Sequence, residues 1–490
     1  MPLELIARLR THAASRPDAP ALRDRDADDR IRICTYAELL ERAEVVADRL
    51  RQEFPPGSVV LVCYFNQPEY VFAFCGALLA GATVFPVHPA STPADLRTAA
   101  RDARAAALIG VESARAALAD MGIRWIEPAT EKRHRQDDSA VEFSDSAQLL
   151  LQSSGTTGPP HIVLRSGRAL DAVARNVVQA VDLTADDNVL ALIPMCHSYG
   201  VENALLAPLH AGACLTLCRT FDAARFVQRI REDRVTVFPG VPTMFELLAQ
   251  QPCDEPLPLR CAYAAGANLP PGVVEGFRNR FGVPVGQLYG MTEIGSVTFN
   301  DPAAANFDAT NVGLPLEGVR VRIVDPETRD LARPLPPDAE GEVAVSAPSM
   351  LAGYIDPNTG ECETPPDLCE GFLFTGDLGR VDNRGRLSIT GRKKLVVDIA
   401  GQKVNLVEVE QAIAAYPGVR VCAVAAVAVT QTVYRLKAAV VAETGVAANF
   451  LEGLRVHLRE TLAPHKVPRL IELREDLPRS PTGKVLRHRL

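Results

Sequence analysis

The chain has 490 residues, a formal net charge of −8, 47% hydrophobic and 23% charged side chains, and a mean hydropathy of +0.03. That length leaves room for about two to four domains with buried cores, in the composition of a globular protein. The acidic balance, without a basic stripe or arginine–aromatic interleaving, excludes a nucleic-acid partner. No apolar run reaches the ~18 residues of a membrane span, and the stretch from Met1 to Leu5 has no basic region followed by an apolar core, so no leader is expected. Eleven cysteines, an odd number without zinc spacing, suit a reduced, cytoplasmic protein.

Thr35 and Glu38 make a capping box, and Leu39, Leu40, Ala43, Val46, Ala47 and Leu50 follow at helical spacing, which predicts an amphipathic helix. Residues 58–64 read as a buried strand, 68–80 as a helix closed by Gly81, and 82–87 as a second strand. Strand, helix and strand at this spacing imply a parallel sheet. The charged run Glu131–Asp138 reads as a solvated loop. From Leu149 to His161 a short apolar run leads into serines, glycines and threonines, and Ile162–Leu164 resumes an extended pattern. Glycines let successive N–H groups converge and hydroxyls add donors, the character of a phosphate nest. The loop lacks Gly-Lys-Ser/Thr and enters a strand, so it is not a Walker loop.

The alternation recurs as strand 189–193, helix 203–211, strand 213–218, helix 222–231 and strand 235–238, a layered α/β pattern to about residue 310. Cys214 and Cys218 lie in a strand-like run and read as core. From 319 to 391, apolar–polar alternation in 319–324 and 341–345 predicts a smaller β-rich subdomain. After Lys394 come strand 395–399, helix 406–415, strands 421–429 and 435–441, and helix 448–462, a small α+β unit. The expected organisation is a layered α/β N-terminal core of residues 1–391, β-rich from about 311, and a small mobile α+β domain of 392–490, with the boundary at Arg392–Lys394.

Seven fragments, in one order across nearly the whole chain, resemble the adenylate-forming superfamily of acyl- and aryl-CoA synthetases, peptide-synthetase adenylation domains and luciferases. Ser153–Gly158 resembles its phosphate loop, and Pro194–Gly200 the motif at its acid pocket. Ala265–Ala267 and Tyr289–Glu293 resemble the segments around adenine and magnesium. Thr375–Asp377, Gly391–Lys394 and Pro481–Lys484 complete the set.

The resemblance implies attack of a carboxylate on the α-phosphorus of ATP, giving an acyl-adenylate and pyrophosphate, and then displacement of AMP by a thiol. The first step needs positioning and stabilisation of phosphate charge more than covalent help. By resemblance, Lys484 bridges the carboxylate and α-phosphate during adenylation, Glu293 ligates Mg²⁺, and Thr292 donates to the adenylate phosphate. Ser154, Gly155, Thr156, Thr157 and Gly158 hold phosphates, while Ala265, Gly266, Ala267 and Tyr289 lie around adenine. Asp377 and Arg392 contact ribose. Lys394 is the hinge for the C-terminal domain, and Gly401, within Asp398–Lys403, lies against a pantetheine arm. His161 stands where the family's loop usually ends in lysine, and an imidazole gives a polyphosphate less charge.

The same resemblance places His197, Ser198, Tyr199, Val201, Gly240, Ala264, Gly290 and Met291 in the acid pocket. His197 reads either as gate and wall or as a satisfied core histidine. Glu202 reads either as a contact for a polar substituent or as a solvent-facing residue. Ser198 replaces the aspartate that pairs the ammonium of α-amino acids in peptide synthetases, so an ordinary α-amino acid is not expected. The small and apolar lining suits an aryl acid or a short-to-medium acyl chain. No carrier domain follows Lys484, so the expected acceptor comes in trans, either coenzyme A, which family base rates favour, or a separate carrier protein. An inactive nucleotide-binding scaffold, with His161 as its symptom, is the alternative from another class.

Overall fold

In this computed structural model, residues 3–26, 28–127, 149–153, 161–251, 256–267, 269–399, 402–428, 434–446, 449–463, 466–479 and 485–490 are described. Contacts divide the chain into two compact units, Met1–Arg320 with Ser346–Glu370, and Val321–Val345 with Gly371–Leu490.

The first unit is built on two sheets. One runs in the order Leu314–Pro315, Gly295–Asn300, Val285–Met291, Cys261–Ala264, Val237–Gly240, Asn188–Ala191, Cys214–Leu217, Pro20–Arg25, Ile31–Thr35. Its interior pairs, from Val285–Met291 to Pro20–Arg25, are parallel. The other runs Cys362–Glu363, Gly353–Ile355, Ile162–Arg165, Leu149–Gln152, Thr83–Pro86, Val59–Cys63, Ala107–Gly110, Arg124–Trp125. Its strands Val59–Cys63 and Thr83–Pro86 pair in parallel around the helix Pro68–Leu79, as the spacing predicts. Both bonds of the Thr35–Glu38 capping box are present on the helix Tyr36–Glu53. Cys214 and Cys218 are buried, as core residues should be.

The expected helix 203–211 is divided. A short helix Ser198–Val201 passes into a π-type turn Glu202–Leu206, and α-geometry resumes at Ala207–Ala211. Pro208 has no N–H to give to the carbonyl four residues back, and a wider turn before it redistributes those bonds. A run of phenylalanines, Phe226, Phe238, Phe245, Phe277 and Phe281, with successive centroids 4.8, 5.0, 5.0 and 4.7 Å apart, packs beneath the strand Val237–Gly240.

In the second unit, Gly341–Ser346, Phe372–Val381 and Leu387–Arg392 form antiparallel ladders, the β-rich character read from alternation. The C-terminal segment has a sheet of Val419–Ala428, Tyr434–Ala442 and Leu470–Leu473, with the helices Leu406–Ala414 and Phe450–Thr461 sharing its core through Val409, Ile413, Leu454 and Leu458. Leu470–Leu473, parallel to Tyr434–Ala442, was not expected, because its residues 470–473 show little alternation. The expected boundary at Arg392–Lys394 lies inside this second unit rather than between the two. Among the described residues no helix is long and apolar enough to cross a membrane.

Candidate active site

Parallel strands leave their carboxyl ends free to build a crevice. Gly240 and Ala264 are the last residues of neighbouring strands and sit opposite each other in register. The next strand extends further, to Met291, and carries Tyr289 and Gly290. A Cβ at Gly240 would lie 2.7 Å from the Phe245 ring, and one at Gly290 would lie 2.4 Å from the Gly295 carbonyl oxygen. Both positions therefore stay side-chain-free for packing reasons as well as for space above the strand ends. Ala265 follows with its N–H on the Gly240 carbonyl at 3.2 Å, and Gly266 and Ala267 are exposed. Gly266 has φ +86°, a backbone state that glycine adopts without strain.

The helix Ser198–Val201 packs against the strands Val285–Met291 and Gly295–Asn300, and so lies beside the strand that carries Gly290 and Met291. The loop before it is pinned from behind. Asn66 donates to the carbonyls of Ala191 and Ile193 at 2.8 and 2.9 Å, and accepts from the Met195 N–H at 3.1 Å. Tyr199 donates to the Gly240 carbonyl at 3.1 Å, and burial pushes its phenol well above the ordinary value. Val201 is buried, while Ser198 is half-buried. His197 is half-buried, its ring facing that of His88 with centroids 6.5 Å apart and planes at 22°. Burial lowers the His88 pKa.

Thr292 and Glu293 form the link between the strands Val285–Met291 and Gly295–Asn300, and three contacts hold it. The Leu351 N–H donates to the Glu293 carbonyl at 2.7 Å. The Tyr354 hydroxyl donates to Glu293 Oε1 at 3.3 Å, and Arg165 Nη1 donates to the Thr292 carbonyl at 3.0 Å. Burial and the Glu293 charge raise the Tyr354 pKa, so the phenol stays protonated as the donor.

Glu202 is not solvent-facing. It is 3% exposed, its Oε1 lies 3.4 Å from Arg165 Nη1, and its Oε2 accepts from the Ser296 hydroxyl at 3.1 Å. Burial raises the Glu202 pKa and lowers that of Arg165, each opposed by the charge of the other.

The ends of the phosphate loop are tied together, Ser153 N–H to the His161 carbonyl and His161 N–H to Ser153 Oγ, both at 2.9 Å. Ser154, Gly155, Thr156, Thr157 and Gly158 lie outside the described residues, as do Gly401, Lys484 and the charged run Glu131–Asp138. The exposed His161 ring stacks on Tyr354 at 4.8 Å and 28°. Tyr354 thus joins the loop's end to the Glu293 carboxylate.

In the second unit Asp377 and Arg392 sit opposite each other in register, with Arg392 Nε 2.6 Å from Asp377 Oδ1. Asp377 is 3% exposed, and its N–H bonds Thr375 Oγ1 at 3.1 Å. Lys394 lies in a single 3₁₀ turn Lys393–Leu395, its side chain outside the described set.

Sequence reasoning passed over Arg165 and Tyr354. The signal for Arg165 was a charged residue ending an apolar strand, Ile162–Arg165; Tyr354, between Gly353 and Ile355, carried no signal of its own.

A layered α/β unit with hydroxyl, carboxylate and backbone polar groups gathered at the ends of its parallel strands is the class this geometry defines. The chain belongs to the AMP-binding enzyme family, whose model matches residues 9–355, with the family's C-terminal domain matching residues 408–484. It is 30% identical over 462 residues to a feruloyl-CoA synthase of an Amycolatopsis species, covering 92% of each chain. It is 28% identical to a malonate–CoA ligase of Arabidopsis thaliana, covering 85% of this chain and 75% of that one. ATP-bound MatB from Rhodopseudomonas palustris superposes with a TM-score of 0.87 at 27% identity, covering 100% of this chain and 98% of the other. The chain is an AMP-forming ligase of the acid–CoA ligase type.

Proposed function

We propose that this enzyme joins an aryl or short-to-medium acyl carboxylic acid to coenzyme A in two half-reactions, using ATP and Mg²⁺. The observation that carries the reading is the Thr292–Glu293 link, held by Tyr354, Arg165 and Leu351 beside the helix Ser198–Val201. One carboxylate oxygen of the acid attacks the α-phosphorus, the bond to the β-phosphate oxygen breaks, and pyrophosphate leaves. The thiol sulfur then attacks the acyl carbon and AMP leaves.

Glu293 suits Mg²⁺: it is a hard oxygen donor, and Tyr354 engages it through Oε1. Among the described residues no cluster of three or more His, Cys, Asp or Glu forms a metal cage. A cation here would take Glu293 together with phosphate oxygens and water, the habit of Mg²⁺, and would neutralise charge on the phosphates. Thr292 donates to the adenylate phosphate, while the backbone of Ala265, Gly266, Ala267 and Tyr289 faces adenine. Asp377 and Arg392, paired with each other in the second unit, take their ribose role from the family resemblance alone. The roles of Lys484, of Lys394 as hinge, of Gly401 and of Ser154–Gly158 rest on the family resemblance.

His197, Ser198, Val201, Gly240, Ala264, Gly290 and Met291 line the acid's place, and nothing among them pairs an ammonium. Coenzyme A is preferred to a carrier protein because the relatives named above are a CoA synthase and a CoA ligase. The test is pyrophosphate release over aryl, fatty and dicarboxylic acids, followed by transfer to coenzyme A or to a holo-carrier. An aryl or short-to-medium acyl acid with coenzyme A should lead. A long linear fatty acid far ahead of all others, or transfer to the carrier alone, would overturn the corresponding part of the reading.

A further inference from the structure

Arg165 is fully buried, yet the pair it makes is poorly built for stability. A stabilising buried guanidinium–carboxylate contact is bidentate and short, with every N–H satisfied. Here one nitrogen, Nη1, faces both Glu202 Oε1 at 3.4 Å and the Thr292 carbonyl at 3.0 Å. Nε and Nη2 are buried without an acceptor among the described residues. A Cβ at Gly295 would lie 3.0 Å from both Arg165 Nη2 and Glu202 Oε1, so glycine lets the pair lie against the link that carries Thr292 and Glu293. Glu202 opens the π-type turn immediately after Val201, and Ser296 holds its other oxygen. The strand end after the phosphate loop, the acid-pocket helix and the Thr292–Glu293 link therefore meet at one guanidinium.

We propose that Arg165 and Glu202 are a positioning pair for adenylation: the acid-pocket helix sets the guanidinium through Glu202, and the guanidinium sets the Thr292 carbonyl and so the Glu293 carboxylate. The pair is kept for geometry, against its own desolvation. The inference rests on the adenylation reading above.

The test replaces both residues by apolar side chains of similar length, Arg165→Met with Glu202→Met, and compares melting temperature with acid-dependent ATP–pyrophosphate exchange. Uncharged replacements of buried pairs are commonly neutral or stabilising. The double variant should melt at or above the wild-type temperature while its exchange kcat falls roughly 10- to 100-fold, the scale of a sub-ångström to 1 Å misplacement. Its KM for the acid should move by less than about threefold, because no pocket contact is removed. Arg165→Lys with Glu202 intact restores a donor to the Thr292 carbonyl and should recover part of kcat. A double variant with wild-type kcat, or one that fails to fold, would overturn the proposal, as would an Arg165→Lys enzyme no better than the double variant. Wild-type protein without exchange on any acid would instead count against the adenylation reading.

Discussion

Gly290→Ala places one methyl group where the structure has no room for it. The new Cβ would lie 2.4 Å from the Gly295 carbonyl oxygen and 3.2 Å from the Ser296 Cα, both backbone atoms of the facing strand. Real Cβ contacts do not fall under 3.0 Å, so the two strands must part by about 0.6 Å or more, at an overpacking cost of about 1–3 kcal/mol. Those strands are the ones joined through Thr292 and Glu293, so the displacement reaches the groups proposed to act on phosphate and Mg²⁺. A misplacement of that size should lower exchange kcat roughly 10- to 100-fold. The control is Gly272→Ala, in the helix Pro271–Phe281, where a Cβ meets nothing within 4 Å. It should leave activity unchanged and stability equal or higher by up to about 1 kcal/mol. Exchange kinetics and thermal melts on the three proteins decide the matter. Wild-type kcat and melting in Gly290→Ala would refute the close packing from which the argument starts.

Tyr354→Phe keeps the ring under His161 and removes only the hydroxyl on Glu293, so the Mg²⁺ concentration for half-maximal exchange should rise about 2- to 10-fold. An unchanged Mg²⁺ dependence would show that the phenol does not orient that carboxylate. Asp187 is a stability prediction away from the site. Burial raises its pKa, but Arg260 (2.7 Å to each oxygen), the Thr184 N–H and the Thr236 hydroxyl outweigh burial and hold it below the ordinary carboxylate value. A lowered carboxylate contributes stability that is full above its unfolded pKa of about 3.9 and is lost as pH falls through the lower folded value. Asp187→Asn should therefore melt lower at pH 7 and lose part of the acid dependence of melting. Parallel melting-versus-pH curves for mutant and wild type would contradict this.

The layered architecture was legible because its signals are local. The strand–helix–strand spacing of 58–87 and the capping pair Thr35–Glu38 each act within a few residues, and both formed as read. The seven motifs could be ordered in the sequence, and the structure brings three of them, Pro194–Gly200, Ala265–Ala267 and Tyr289–Glu293, to neighbouring strand ends. What escaped depends on contacts far apart in the chain. That Glu202 is buried rather than solvent-facing was hidden because its partner Arg165, on the strand Ile162–Arg165, lies 37 residues away. Tyr354 reaches Glu293 across 61 residues, and no local pattern reports such a bond. The π-type turn at Glu202–Leu206 was hidden because apolar spacing alone does not distinguish one wide turn from a continuous helix.

The most direct measurement is a comparison of two half-reactions in Lys484→Ala. Acid-dependent exchange should fall roughly 10²–10³-fold for want of a single charge-stabilising donor, while transfer of the acyl group from synthetic acyl-AMP to coenzyme A stays within a few-fold of wild type. Undiminished exchange in the variant would contradict the account at its centre.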